Sequence, residues 1–85
     1  MTMSIDPAWH VVAEHHLERA FAFPDWKHAI AFLNKVSDVA EELNHHPDAE
    51  LAWGKVVLKL RSHDANKVGP RDYALAARVD KLVTG

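Results

Sequence analysis

The sequence predicts an α+β fold in which a four-stranded antiparallel sheet has helices packed on one face. Short strand-like segments occur in two pairs, and each pair is followed by a segment whose apolar residues have helical spacing. The resulting order, β-β-α-β-β-α, leaves both helices to cover the same face of the sheet. A chain of 85 residues has room for one core, so we expect a single domain over residues 1–85, with residues 1–8 flexible.

The first pair of strands is predicted at residues 9–13 and 17–23, joined by a turn. Residues 9–13 are rich in Trp and Val, which favour strands. In the second segment Leu17 and Phe21 fall on one side, and Ala20 and Ala22 fall on the other. This alternation indicates a strand that is buried on one face.

A long helix is predicted over residues 26–43. Asp25 follows a proline that ends the strand, and its carboxylate can cap the first turn. The apolar residues form one stripe that Ile30 and Val39 widen, which favours contact with a second partner such as another subunit. Asn44 can end the helix in the left-handed conformation.

The second pair of strands is predicted at residues 51–53 and 56–60, on either side of a Gly-Lys turn. Gly69 can act as the N-cap of a last helix, and the proline after it suits the first helical position. We therefore predict a helix over residues 70–83. Its inner face would carry Leu75, Ala76, Val79 and Leu82.

Composition excludes several classes of protein. The chain has no cysteine, which excludes disulfides, thiolate nucleophiles and iron–sulfur clusters. Its 10 basic and 12 acidic residues form no basic block, so we expect no direct binding to nucleic acid. No apolar run approaches the roughly 18 residues of a membrane span. We expect a cytoplasmic protein that binds no membrane.

Three of the seven histidines are candidates for proton chemistry. His45 and His46 follow the long helix, with Pro47 behind them, and His63 follows the last strand. Imidazoles exchange protons near neutral pH, so these residues could serve general acid–base catalysis. Solvated loop histidines would produce the same pattern, and Glu41 can either orient an imidazole or be solvated. We expect exposed side chains for the other four, His10, His15, His16 and His28.

A metal site is a weaker alternative. Three imidazoles can bind zinc and leave a water in the fourth position. Adjacent histidines rarely direct both rings at one metal, and the chain contains no His-x-x-x-His pair. We therefore expect no metal.

Four motifs together resemble the pterin-4a-carbinolamine dehydratase family. The specific part is a His-His-Pro loop, with a third histidine after a strand of the form Lys-Val-x-Leu-x-Leu. The resemblance extends over about residues 9–82. The motifs are FAFPDW at residues 21–26, AEELNHHP at 40–47, LRSH at 60–63 and Arg71-Asp72.

The resemblance implies a hydro-lyase, 4a-hydroxytetrahydrobiopterin dehydratase, which acts in tetrahydrobiopterin recycling. It would convert a 4a-hydroxytetrahydropterin to the quinonoid dihydropterin, without a metal or a bound cofactor. We hypothesise that His45 and His63 flank the reacting C4a–N5 edge, while His46 orients the ring. The resemblance implies catalytic roles for His45, His46 and His63 and substrate contacts for Pro47, Ser62, Asp64, Ala65 and Glu41.

The resemblance also implies an assembly of several chains. Family members form dimers by joining edge strands and tetramers through the long helices, so we expect a homodimer or homotetramer. The family's N-terminal helix is expected to be missing, and Ala49 occupies a position that is often aromatic. Relatives also act as a transcription-factor dimerisation cofactor or assist Rubisco assembly. A non-catalytic assembly module on the same fold is therefore the alternative, and the three histidines favour the enzyme.

Overall fold

The computed structural model describes residues 5–62 and 67–84. The predicted element order is confirmed. The elements are β1 (His10–Val12), β2 (His16–Ala22), α1 (Trp26–Leu43), β3 (Asp48–Ala52), β4 (Lys55–Leu60) and α2 (Pro70–Thr84).

The four strands form one antiparallel sheet in the order β1-β2-β4-β3. The register places Leu17 opposite Leu60 and Phe21 opposite Val56, so the buried residues of β2 and β4 share one face. Both helices contribute to the core on that face, as predicted. The buried apolar residues are Trp9, Leu17, Phe21, Ala29, Phe32, Val36, Val39, Val56, Leu58, Leu60, Leu75, Ala76 and Val79.

Helix α1 has the predicted bounds because both of its ends are capped. The Asp25 carboxylate accepts the His28 backbone N–H at 2.9 Å. That hydrogen bond, together with a second one from the His28 ring, lowers the pKa of the Asp25 carboxyl below its usual range. Val39, expected to widen the apolar surface toward another subunit, is buried within the chain.

The hairpin of β3 and β4 differs from its prediction. β3 begins at Asp48 and not at residue 51, and the turn is Trp53-Gly54 and not Gly54-Lys55. β3 is an edge strand with most side chains exposed, and it begins with Asp-Ala-Glu, residue types that are depleted in strands, so local propensity does not mark its start. Gly54 is needed because an added Cβ would lie 2.7 Å from the Phe23 carbonyl oxygen.

Within residues 5–62 and 67–84, no helix is long and apolar enough to cross a lipid bilayer.

Candidate active site

Backbone hydrogen bonds fix the chain where it leaves α1 and reaches the two histidines. Asn44 adopts the left-handed conformation, with φ 52° and ψ 42°. The His45 N–H donates to the Ala40 carbonyl at 3.0 Å, and the Asn44 N–H donates to the Glu41 carbonyl at 3.2 Å. This pair of bonds is a Schellman motif. It sets the backbone direction at His45.

The His45 side chain points into the protein, against Asp72 of α2. Its Nε2 lies 2.6 Å from Oδ1 of Asp72, and the two side chains are only 6% and 0% exposed. A carboxylate accepts hydrogen bonds, so the His45 tautomer that fits this contact has its hydrogen on Nε2. In that tautomer Nδ1 is the ring nitrogen without a hydrogen, and it can accept a hydrogen bond.

Asp72 joins three parts of the fold. Besides the His45 ring, its Oδ2 accepts the Ser62 hydroxyl at 3.0 Å and the Gly69 N–H at 2.8 Å. Ser62 follows β4 and Gly69 precedes α2. An acidic side chain that reaches back to the N–H three residues earlier forms half of a capping box. Asp72 therefore caps its own helix while it holds the histidine.

His46 lies at the surface and pairs with Glu41. Its Nε2 is hydrogen-bonded to Oε2 of Glu41, and the two side chains are 54% and 73% exposed. Such an exposed pair adds little to stability. It does orient the imidazole, because one ring nitrogen is held by the carboxylate.

A groove of about 190 Å³ lies between α1 and the start of β3, next to His46. Its wall is mainly apolar, and its polar groups are the His46 ring and the Ser37 hydroxyl. Ligand sites commonly combine an apolar wall with a few polar groups that fix orientation. The lining residues are Leu33, Val36, Ser37, Ala40, His46, Pro47 and Ala49.

The described residues contain part of the predicted site. His45 and Ser62 bind the same carboxylate, His46 and Glu41 are paired, and Pro47 lines the groove. Ser62 is buried and its hydroxyl is bonded within the protein, and its contact with substrate stays a prediction. The other predicted site residues, His63, Asp64 and Ala65, lie outside the described residues.

Sequence reasoning missed two residues of this site. The sequence indicates Asp72 only as part of the Arg-Asp pair that opens the last helix, and it predicts no role for this residue at the site. An acidic residue three positions after a helix N-cap is a signal for a capping box, although not for a buried histidine partner. Ser37 lies four residues before Glu41 on the same helix, a spacing that places both on one side.

The expectation of exposed side chains is wrong for His15 and His16, which are half-buried. Their Nδ1 atoms lie 2.9 Å apart, and Nε2 of His16 lies 3.1 Å from Oε1 of Glu18. They line a separate pocket of about 310 Å³ with Asp48, Lys59 and Arg61. Neither there nor elsewhere in the described residues is a group of three or more His, Asp or Glu side chains arranged to hold a metal ion.

Known sequences match this chain over most of its length. The model of a family described as pterin 4 alpha carbinolamine dehydratase matches residues 1–82. A relative from Rubrobacter xylanophilus, named for that dehydratase, is 42% identical over 76 residues, which span 89% of this chain and 71% of the relative. A relative of the same name from Alkaliphilus metalliredigens is 42% identical over 73 residues, which span 86% and 66%.

Two solved structures share the fold. A transcriptional coactivator/pterin dehydratase from Brucella melitensis superimposes with a TM-score of 0.84 at 28% identity, over 89% of this chain and 82% of the other. A pterin dehydratase-like protein identified as a RuBisCO assembly factor in the alpha-carboxysome superimposes with a TM-score of 0.77, also at 28% identity. That match covers 92% of both chains.

Proposed function

Because the chain belongs to the pterin 4 alpha carbinolamine dehydratase family, we propose that it removes water from a 4a-hydroxytetrahydropterin. The product is the quinonoid dihydropterin, and tetrahydrobiopterin is the parent pterin that we propose. The observation that most supports this function is the buried pair of His45 and Asp72, one residue along the chain from the groove at His46. A buried imidazole held by a carboxylate is suited to proton transfer.

The reaction needs two proton transfers and no redox partner. The C4a–O bond breaks, and the leaving hydroxyl takes a proton and departs as water. N5 loses its proton, and the C4a–N5 bond becomes double. A positioned acid or base contributes about 10²–10⁴-fold to such a step. Two imidazoles, one acid and one base, could therefore supply most of the acceleration.

We assign the roles by the surroundings of each histidine. Asp72 holds Nε2 of His45, so Nδ1 of His45 is the atom we propose to exchange a proton with the substrate. His46, paired with Glu41 at the groove, orients the pterin ring. His63 is the second proton-transfer group by its place in the family motif. These roles rest on the family pattern and on the hydrogen bonds of His45 and His46.

The groove favours a small ligand with flat faces and polar edges. Pro47 and Ala49 supply apolar surface, and Ser37 and His46 supply polar groups. Glu41 adds a polar group through its pair with His46, and the substrate contacts that we propose for Ser62, Asp64 and Ala65 follow the family motif alone. A pterin ring has this combination of flat faces and hydrogen-bonding edges.

We also propose that the protein acts as a homodimer or homotetramer in the cytoplasm. Within the described residues, β1 and β3 form the two edges of the sheet. Trp53 at the β3–β4 turn is 67% exposed, and Trp26 at the start of α1 is 47% exposed. Light scattering after gel filtration tests the assembly: a mass of two or four chains supports it, and a mass of one chain contradicts it.

The alternative is a non-catalytic assembly module. It is favoured by the structural similarity to the RuBisCO assembly factor, which extends over 92% of both chains. The two functions differ in whether the histidines are needed for the protein's activity.

The test is a stopped-flow assay of chemically generated 4a-hydroxytetrahydropterin, followed by ultraviolet absorbance. Wild type is compared with His45→Ala and His63→Ala, with His10→Ala as the control because His10 is exposed. We expect wild type and the control to accelerate the reaction and both site variants to lose most of that acceleration. Folded wild type without acceleration would contradict the dehydratase and favour the assembly module.

A further inference from the structure

We propose that Arg71 is a positioning residue for His45, an inference that rests on the proposed dehydratase function. Arg71 is exposed, and its guanidinium donates to the Asn44 carbonyl oxygen at 2.9 Å. It touches no imidazole in the described structure. It acts on the backbone immediately before His45.

The peptide group that joins Asn44 to His45 is held on both sides. Its carbonyl oxygen accepts from Arg71, and its N–H donates to the Ala40 carbonyl at 3.0 Å. Rotation of this peptide plane would break both bonds and would change the angle at which the His45 side chain leaves the backbone. Asn44 has φ 52°, a region that non-glycine residues occupy only when neighbouring contacts hold them.

The placement of Arg71 also argues for this role. A cation in the first turn of a helix is unfavourable because of the helix dipole, so the charge of Arg71 is not stabilised by its own helix. Helix α1 has no basic residue in its last turn, where a cation is favourable. Arg71 therefore supplies from α2 the positive charge and the donor that the end of α1 lacks. The neighbouring Asp72 holds the His45 ring, so consecutive residues fix the backbone and the side chain of one histidine.

Arg78 provides a matched control. It also reaches from α2 to the end of α1, where it donates to Glu42 at 2.7 Å. Like Arg71, Arg78 is accessible to solvent. Its hydrogen-bond acceptor is a surface carboxylate, whereas the acceptor of Arg71 is the backbone carbonyl before His45. A loss of helix–helix attachment would affect both variants, whereas a loss of histidine positioning would affect only Arg71.

The experiment measures kcat and KM for wild type, Arg71→Gln, Arg71→Lys and Arg78→Gln, with circular dichroism to confirm folding. We expect Arg71→Gln to lower kcat about 10- to 100-fold with little change in KM, because misplacing a catalytic group by about 1 Å can cost that much. Arg71→Lys should recover part of the loss, because lysine also donates. Arg78→Gln should match wild type. Equal kcat values for Arg71→Gln and Arg78→Gln would overturn the proposal.

A second readout does not depend on activity. The proton shared between His45 and Asp72 should give a resolved proton resonance, identified by its disappearance in His45→Gln. We expect this resonance to shift or broaden in Arg71→Gln and to stay unchanged in Arg78→Gln. If wild type has no dehydratase activity, the proposed function fails while this comparison still decides whether Arg71 positions His45. An unchanged resonance in Arg71→Gln would contradict positioning.

Discussion

Two carboxylates of α2, Asp72 and Asp80, each accept several hydrogen bonds, but their donors differ in kind. One donor to Asp72 is an imidazole, that of His45, and imidazoles are the side chains used most often in general acid–base catalysis. One donor to Asp80 is the Arg19 guanidinium, at 2.8 Å, a group that only donates hydrogen bonds. Both clusters centre on a carboxylate of α2, and the difference lies in the partner: only an imidazole is a group suited to proton transfer.

The Asp80 cluster is instead suited to holding the fold together. The carboxylate also accepts the Trp9 indole N–H at 2.7 Å and the Asp6 backbone N–H at 2.8 Å. The Arg19 guanidinium carbon lies 4.5 Å from the centre of the Phe21 ring, an arrangement that favours a cation–π contact. These contacts tie the segment before β1 and strand β2 to α2. Guanidinium, indole and backbone N–H groups only donate hydrogen bonds and are not used as general acids or bases.

Replacing the titratable partner should have the largest effect on activity. His45→Gln can keep a hydrogen bond to Asp72 but cannot exchange protons, so we expect activity to fall about 10²–10⁴-fold with the fold retained. The matched change in the other cluster, Arg19→Gln, should leave the activity of the folded protein near wild type. Stopped-flow kinetics of both variants would check this. A His45→Gln protein with wild-type activity would contradict proton transfer by His45.

Removing the second carboxylate should have the largest effect on stability. Asp80→Ala leaves Arg19, only 14% exposed, without its main partner. We expect the free energy of unfolding to fall by about 2–4 kcal/mol, because the hydrogen bonds from Arg19, Trp9 and Asp6 are lost while Arg19 keeps the Asp6 carboxylate at 3.7 Å. Urea denaturation measures this value. An unchanged unfolding midpoint would show that the cluster is not structural.

Removal of one neutral hydrogen-bond donor should lower the free energy of unfolding less, and by a similar amount in the two clusters. Ser62→Ala removes the hydroxyl that donates to Asp72, and Trp9→Phe removes the indole N–H that donates to Asp80. Each should lower the free energy of unfolding by about 1 kcal/mol. Only Ser62→Ala should also reduce kcat, because it loosens the carboxylate that holds His45. Equal kcat values in both variants would contradict this division.

Replacement of Asp25, the exposed N-cap of α1, should have the smallest effect on stability. The effect should appear as a change in how the melting temperature depends on pH. The bonds from His28 lower the pKa of Asp25 in the folded protein. Its carboxylate therefore stabilises the fold at pH values above its unfolded pKa, and this contribution is lost as the pH falls through the lowered folded pKa. Asp25→Asn should have a lower melting temperature than wild type near neutral pH, and the two should converge in acid. A difference in melting temperature that persists in strong acid would show that the charge of Asp25 is not its cause.

The helices and the central strands could be predicted because their signals are local. Asp25 and Asn44 mark the ends of α1, and alternation marks β2 and β4. The predicted start of β3 is three residues too late, because an exposed edge strand is defined by pairing with β4 and not by its own pattern. His45 and His46 could be selected from their position after the long helix and before Pro47, and their catalytic roles stay a prediction.

The role of Asp72 could not be predicted from local pattern. An aspartate in the first turn of a helix is usually explained by capping, which Asp72 also does through Gly69. Asp72 is completely buried, and His45 and Ser62, which come from distant parts of the chain, are hydrogen-bonded to it. The same holds for Arg71, whose target is a backbone carbonyl 27 residues away.

The most direct test of the comparison is the initial rate of 4a-hydroxytetrahydropterin dehydration for Asp72→Asn beside Asp80→Asn. The substitutions are chemically identical and lie on the same helix, and circular dichroism establishes that both proteins are folded. We predict that Asp72→Asn loses at least about 100-fold in rate, while Asp80→Asn stays within a small factor of wild type. Equal losses in the two variants, or an Asp72→Asn protein as fast as wild type, would contradict the account.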